Sequence, residues 1–283
     1  MTMVRKPFAS NFYPGDCRTQ IEQFLKGYKP PEEPERAVAG IVPHAGWVFS
    51  GALAAKVFKY LSVKAKPDTF ILLGAVHTWR PRGNSVYSRG AWTTPLGDVK
   101  IDEEVAAGLI EALAGDIVED PEAHAGEHSL EVQVPFIKFL CPEAKIVPIA
   151  IPPDENAYIT GRRLGEAVSG MKKKIVVVGT TDLTHYGDPY GFTPFGYGQE
   201  AKKRMEESDA RIIELALRMR AADIREEAQK SHNACGPGAL AATVAAAKAM
   251  GAEKGHLLGY TTSHDVMAEG EFDMAVGYAG IVF

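Results

Sequence analysis

The chain is poor in cysteine, has no excess of basic charge and lacks a long apolar run, and each deficit removes a class of function. Its three cysteines, Cys17, Cys141 and Cys235 in 283 residues, are odd in number and far apart. That pattern excludes a secreted disulfide framework and fits a reducing compartment, so the expected location is cytoplasmic and each thiol is read as free. With 31 Lys and Arg against 36 Asp and Glu, the formal charge is −5, which supplies no field for gripping nucleic acid. The one basic run, Lys172 to Lys174, reads as a solvated approach to a strand. The N-terminal MTMVRKPFASNFYPGD lacks the apolar stretch of ~7–15 residues that a signal peptide needs. The Ala- and Gly-rich run from Ala234 to Ala247 is shorter than the ~20 residues of a membrane span and reads as a helix packed inside the protein. No nucleic acid and no membrane are therefore expected as partners. A phosphate-binding P-loop, a serine-nucleophile elbow, CxxC and HExxH are all absent. GYGQEA at 196–201 imitates half of a dinucleotide fingerprint but follows an aromatic, proline-containing loop where a strand is required.

What is present describes an ordinary globular chain, 46% hydrophobic and 24% charged, long enough for one large domain or two small ones. No internal repeat and no linker-like stretch is visible, which favours a single domain over 1–283. Asp16 is placed to cap a helix whose apolar face carries Ile21, Phe24, Leu25 and Tyr28. KPPEEPER, residues 29–36, is a loop. AVAGIV (37–42), TFILLG (69–74), KIVPIAI (145–151) and KIVVVG (174–179) are apolar without alternation, as strands buried on both faces are. Helical patterns lie between them at Gly51 to Leu61, Asp102 to Leu113, Leu130 to Phe139 and Asn156 to Val168. Further helices are expected up to about Arg220, near Ile224 to Lys230, and from Gly236 to Met250, with closing strands at 256–262 and 274–283. The fold class is thus α/β, a largely parallel central sheet flanked by helices on both faces.

Chemistry gathers where the buried strands end. AVAGIV runs into VPHAGW with His44, TFILLG into AVHTW with His77, and KIVVVG into TTDLTHYG with Asp182 and His185. Ligands of open α/β sheets bind outside the carboxyl ends of the strands, so these groups are expected to converge there. Two neutral imidazoles invite a metal. Cys235 is the best third ligand, because it stands at the mouth of an Ala-rich helix whose dipole favours a thiolate. Read alone, the same cysteine is equally a small buried hydrophobe. PEAHAGEHSLEVQ, residues 121–133, matches the HxxEH pattern of inverted zinc peptidases through His124, Glu127 and His128. Pro121 and Gly126 make the helix that this motif needs a poor one. A loop carrying Glu127 and His128 into the crevice is expected instead, with Ser129 capping the next helix and Glu131 or Val132 in its first turn. His232 is either supporting or superficial, and His256 and His264 are read as structural.

VPHAGW, LGAVH, GEHSLEVQVPF, TTDLTHYG and NACGPG resemble, in order and spacing, the Memo family, related to a mediator of receptor-driven cell motility, over essentially the whole chain. That family is similar in fold to the class III extradiol dioxygenases, non-haem iron enzymes. The resemblance implies metal ligation by His44, His77 and Cys235, with Asp182 and His185 lining the same pocket and Glu127 and His128 as supporting groups. The dioxygenases carry two histidines and a carboxylate, whereas a thiolate would stand third here, so ring-opening activity does not transfer. One metal ion is expected, iron or copper ahead of zinc. The leading expectation is redox-linked metal binding or oxidoreductase activity on a small molecule, with His185 as general acid or base and Asp182 orienting it or a bound water. The alternatives are a non-enzymatic scaffold holding a peptide or protein, and a zinc hydrolase working through the HxxEH segment. The resemblance also implies AMMECR-type and radical-SAM partner proteins.

Overall fold

The computed structural model describes residues 3–78, 83–267 and 270–283. The chain begins with β1 (Val4–Arg5) and α1 (Cys17–Phe24), where the Asp16 side chain accepts the Thr19 N–H and caps the helix as its sequence predicts. It enters the main sheet as β2 (Ala39–Val42), crosses through α2 (Trp47–Lys64) and returns as β3 (Thr69–Gly74). Three short strands, β4 (Asn84–Val86), β5 (Ala91–Thr94) and β6 (Gly97–Lys100), lead to α3 (Glu103–Ala112) and β7 (Ile117–Glu119). The strand-helix alternation resumes with α4 (Val134–Leu140), β8 (Lys145–Ala150), α5 (Ala157–Ser169) and β9 (Ile175–Thr180). After the two-residue β10 (His185–Tyr186) come α6 (Gln199–Leu217), α7 (Ile224–Ser231) and α8 (Pro237–Ala249). The chain closes with β11 (His256–Thr262), α9 (Ser263–Met267) and β12 (Ala275–Val282).

Among the described residues the main sheet has nine strands, in the order β10-β12-β2-β9-β3-β8-β4-β7, with β11 paired to β12 off that path. Its centre, β2, β9, β3 and β8, is parallel. Antiparallel pairing of β12 with β2 and of β4 with β8 extends it on both sides. Successive strand residues point to opposite faces, and here both faces are covered. Ile71, Leu73, Val147, Ile149 and Val177 join one core with α3, α5, α6, α7 and α8. Phe70, Leu72, Ile146, Val176 and Val178 join the other with α1, α2 and α4. With both faces packed in this way, the strands carry apolar runs without alternation.

The Ala-rich α8 lies inside, as expected, and small residues let it come close to its neighbour α5. A Cβ on Gly161 would stand 2.1 Å from the Ala242 carbonyl oxygen, and one on Gly165 2.5 Å from that of Ala246.

Two local expectations are corrected. The segment predicted as one helix from Leu130 is a 3-10 turn at Glu131–Gln133 followed by α4, which carries Pro135 in its first turn. Ser129 does not cap it, because the Ser129 hydroxyl donates 2.8 Å to the carbonyl of Ala75 and so ties the loop to the end of β3. A second small sheet, β1-β5-β6, lacks a sequence signature, its strands being two to four residues long. Among the described residues, no helix is long and apolar enough to cross a membrane.

Candidate metal centre

β2, β9 and β3 are neighbouring parallel strands, so their carboxyl ends lie side by side at one rim. His44 follows β2, Asp182 follows β9 and His77 follows β3. Cys235 reaches the same rim from the start of α8. There the Cys235 N–H donates to the Asp182 carbonyl (3.1 Å) and the Gly236 N–H to the Thr181 hydroxyl (3.0 Å). Only glycine fits at 236, since a Cβ would stand 2.7 Å from the Thr180 carbonyl oxygen.

The structure thus brings together side chains separated by up to 191 residues. One ligand atom each from His44, His77 and Cys235 lie within 4.8 Å of one another. His44 Nε2 is 3.2 Å from Cys235 Sγ, and the two imidazole centroids are 5.0 Å apart at 78°. His77 Nδ1 hydrogen bonds to Glu127 Oε1 at 3.0 Å. That partner fixes the tautomer and turns the Nε2 lone pair outward, as carboxylates behind metal-bound histidines do. Two imidazoles and a thiol so arranged fit a transition-metal ion by the chemistry of the donor set.

Glu127 is held from several directions. Its carboxylate accepts the backbone N–H groups of His77 (2.7 Å), His128 (2.8 Å) and Ser129 (2.9 Å). Burial alone would raise its pKa, but the hydrogen bonds from His77 and Ser129 outweigh burial and hold it at about 2. His77, Glu127 and His128 also have donor atoms within 4.8 Å of one another. In this second group the Glu127 oxygens already accept four hydrogen bonds.

Burial pushes the Asp182 carboxyl up to about 7, although the His44 and Ala45 N–H groups favour its charged form. Its Oδ1 accepts the His44 N–H at 2.7 Å, and its Oδ2 is 3.9 Å from His44 Nε2. Burial, reinforced by the neighbouring imidazoles of His77 and His128, lowers the pKa of His44 well below its ordinary value. Burial also lowers those of His128 and His185. Neutral imidazole is the ligating form.

The expected charge state of Cys235 is reversed. Burial, with the nearby Asp182 carboxyl, pushes its thiol up despite the 3.3 Å hydrogen bond from the Asp182 N–H. Desolvation here exceeds the partial charge of the helix end. A bound cation, and not the dipole, would have to supply what a thiolate needs.

A cavity of about 570 Å³ opens over the site. His44, His77, His128, Asp182 and His185 line it together with Phe12, Phe49, Tyr190, His264 and Tyr278. Sequence reasoning missed the second group. Phe12, in the FYPGD segment, packs on His128 at 4.7 Å, and Tyr190, five residues beyond His185, meets that ring edge-on at 5.1 Å. His264, read as structural, is a wall residue of the cavity.

His124 stands apart from this group. Its Nε2 bonds the Ser85 carbonyl at 3.0 Å, its ring packs between Tyr87 and Trp92, and burial lowers its pKa to about 4. The HxxEH match is therefore coincidental. His124→Ala is expected to leave metal content unchanged while lowering stability by about 2–4 kcal/mol through a cavity and an unpaired carbonyl. Elemental analysis alongside a denaturant melt checks both parts.

The fold and the site together define an α/β protein with a His, His, Cys donor set at the carboxyl rim of its sheet. Residues 5–282 match the family described as Memo-like protein, and the chain belongs to that family. It is 40% identical over 292 aligned residues to a MEMO1 family protein of Thermococcus onnurineus, covering 99% of each chain. It is 37% identical to one of Methanopyrus kandleri, again over 99% of each. A crystal structure of an uncharacterized protein from Escherichia coli K12 has the same fold, with a TM-score of 0.55 at 14% identity over 86% of this chain and 99% of that one.

Proposed function

We propose that the protein holds one metal ion through His44, His77 and Cys235 and uses it in redox chemistry on a small molecule. The observation that carries this reading is the approach of three donor atoms to within 4.8 Å, two of them on histidines that line a cavity of about 570 Å³. A thiolate beside two imidazoles suits iron or copper, with zinc as the alternative, and three protein ligands leave a further position open. When bound, the ion would supply Lewis acidity or electron transfer at that position. Glu127 holds the His77 ring and Asp182 holds the His44 backbone. His185 faces the cavity with Nδ1 on the Leu183 carbonyl at 3.1 Å, which leaves its Nε2 free to accept a proton from a ligand.

The test is anaerobic purification followed by elemental analysis of the intact protein and of His44→Ala. About one iron or copper per chain, lost in the variant, is the expected result. A metal-free protein that still binds a peptide in this cavity would replace the reading with that of a binding scaffold.

A further inference from the structure

β10 and β12 pair antiparallel with His185 directly opposite Val276. Opposed residues of such a pair share a face, and so does the residue two further along the strand. His185, Val276 and Tyr278 accordingly all line the cavity. Two backbone hydrogen bonds, from Leu183 N–H to the Gly277 carbonyl (2.8 Å) and from Gly277 N–H to the Thr184 carbonyl (3.0 Å), hold β12 against the segment carrying Asp182 and His185.

Tyr278 is 1% exposed, an unusual burial for a phenol that faces a cavity. On the same wall, the Ser263 hydroxyl accepts the Val276 N–H at 2.9 Å. No hydrogen bond among the described residues engages the Tyr278 phenol, whose proton is left for a group in the cavity. Burial and the nearby Asp182 carboxyl keep that phenol protonated. His185, with Nδ1 committed to Leu183, offers a lone pair on the same wall.

We infer that Tyr278 is the hydrogen-bond donor with which the cavity reads an anionic or hydroxyl-bearing group of a small ligand beside His185. Tyr278 is then a binding residue. The inference rests on the metal reading above, because the ligand group it addresses is one held next to the His44, His77, Cys235 cluster.

The experiment uses the full chain loaded with Co(II) and titrated with azide, followed by visible absorption, for the wild type and Tyr278→Phe. Phenylalanine keeps the ring and its packing and removes only the hydroxyl. Tyr278→Phe is expected to bind the same amount of cobalt and to weaken azide about tenfold, the size of one lost hydrogen bond to an anion. Azide affinity within twofold of wild type in Tyr278→Phe at equal cobalt overturns the donor role and leaves the metal reading standing. A wild type that takes up no cobalt overturns both.

Discussion

Cys235→Ser is expected to abolish tight metal binding while leaving the fold intact. Serine preserves the shape at the start of α8, and its oxygen can still receive the Asp182 N–H that now reaches Sγ at 3.3 Å. It removes the soft donor 3.2 Å from His44 Nε2 and puts in its place a hydroxyl that does not ionise near neutral pH. Loss of an outer partner alone typically costs ~10–100-fold in metal affinity, so loss of a direct ligand should exceed about a hundredfold. Chelator competition measures the affinity, and circular dichroism melts of the metal-free proteins check that the fold is unchanged. Wild-type stoichiometry and affinity in the variant would remove Cys235 from the ligand set, and with it the physical difference from sites built on two histidines and a carboxylate.

The site was legible to the extent that its chemistry is tied to strand ends. TFILLG and KIVVVG announce themselves because both faces of those strands are buried, and the residues directly after neighbouring parallel strands must emerge at one rim. His44, His77 and Asp182 could be placed that way, and Cys235 through the Ala-rich helix that it precedes. Charge state was not legible. The sequence shows Cys235 beside a helix end but not how deeply the fold buries the sulfur, and burial decides the outcome. Tyr278 was hidden for a related reason, since MAVGYAGIVF looks the same whether its tyrosine fills the core or faces a cavity. The β1-β5-β6 sheet escaped because its strands are too short for a period to show. Glu131 was read only as a first-turn acid, and nothing local points to its partner Arg5, 126 residues away.

That pair carries the largest stability effect expected in the molecule. Arg5 and Glu131 meet at 2.7 Å with side chains 6% and 3% exposed. The carboxylate is fully occupied, taking Arg5 and the Phe8 N–H (2.8 Å) on Oε2, and the Ala9 N–H (2.9 Å) and the Tyr13 hydroxyl (2.8 Å) on Oε1. Arg5 also donates to the carbonyls of His124 (2.9 Å) and Glu127 (2.8 Å), and its guanidinium lies 4.3 Å over the Trp92 ring. One cation thus pins both ends of the loop that presents Glu127 to His77. Glu131→Ala strands a buried guanidinium and three further donors, and removing one partner of a buried pair typically costs about 3–5 kcal/mol. For a chain of this size that lowers Tm by on the order of 10 °C, which a denaturant or thermal melt reads directly. Arg5→Ala should cost a similar amount and also weaken metal binding, because the loop behind His77 loses its anchor. Glu131→Ala within about 1 kcal/mol of wild type would show that water reaches the pair and that its hydrogen bonds contribute no more than a surface ion pair.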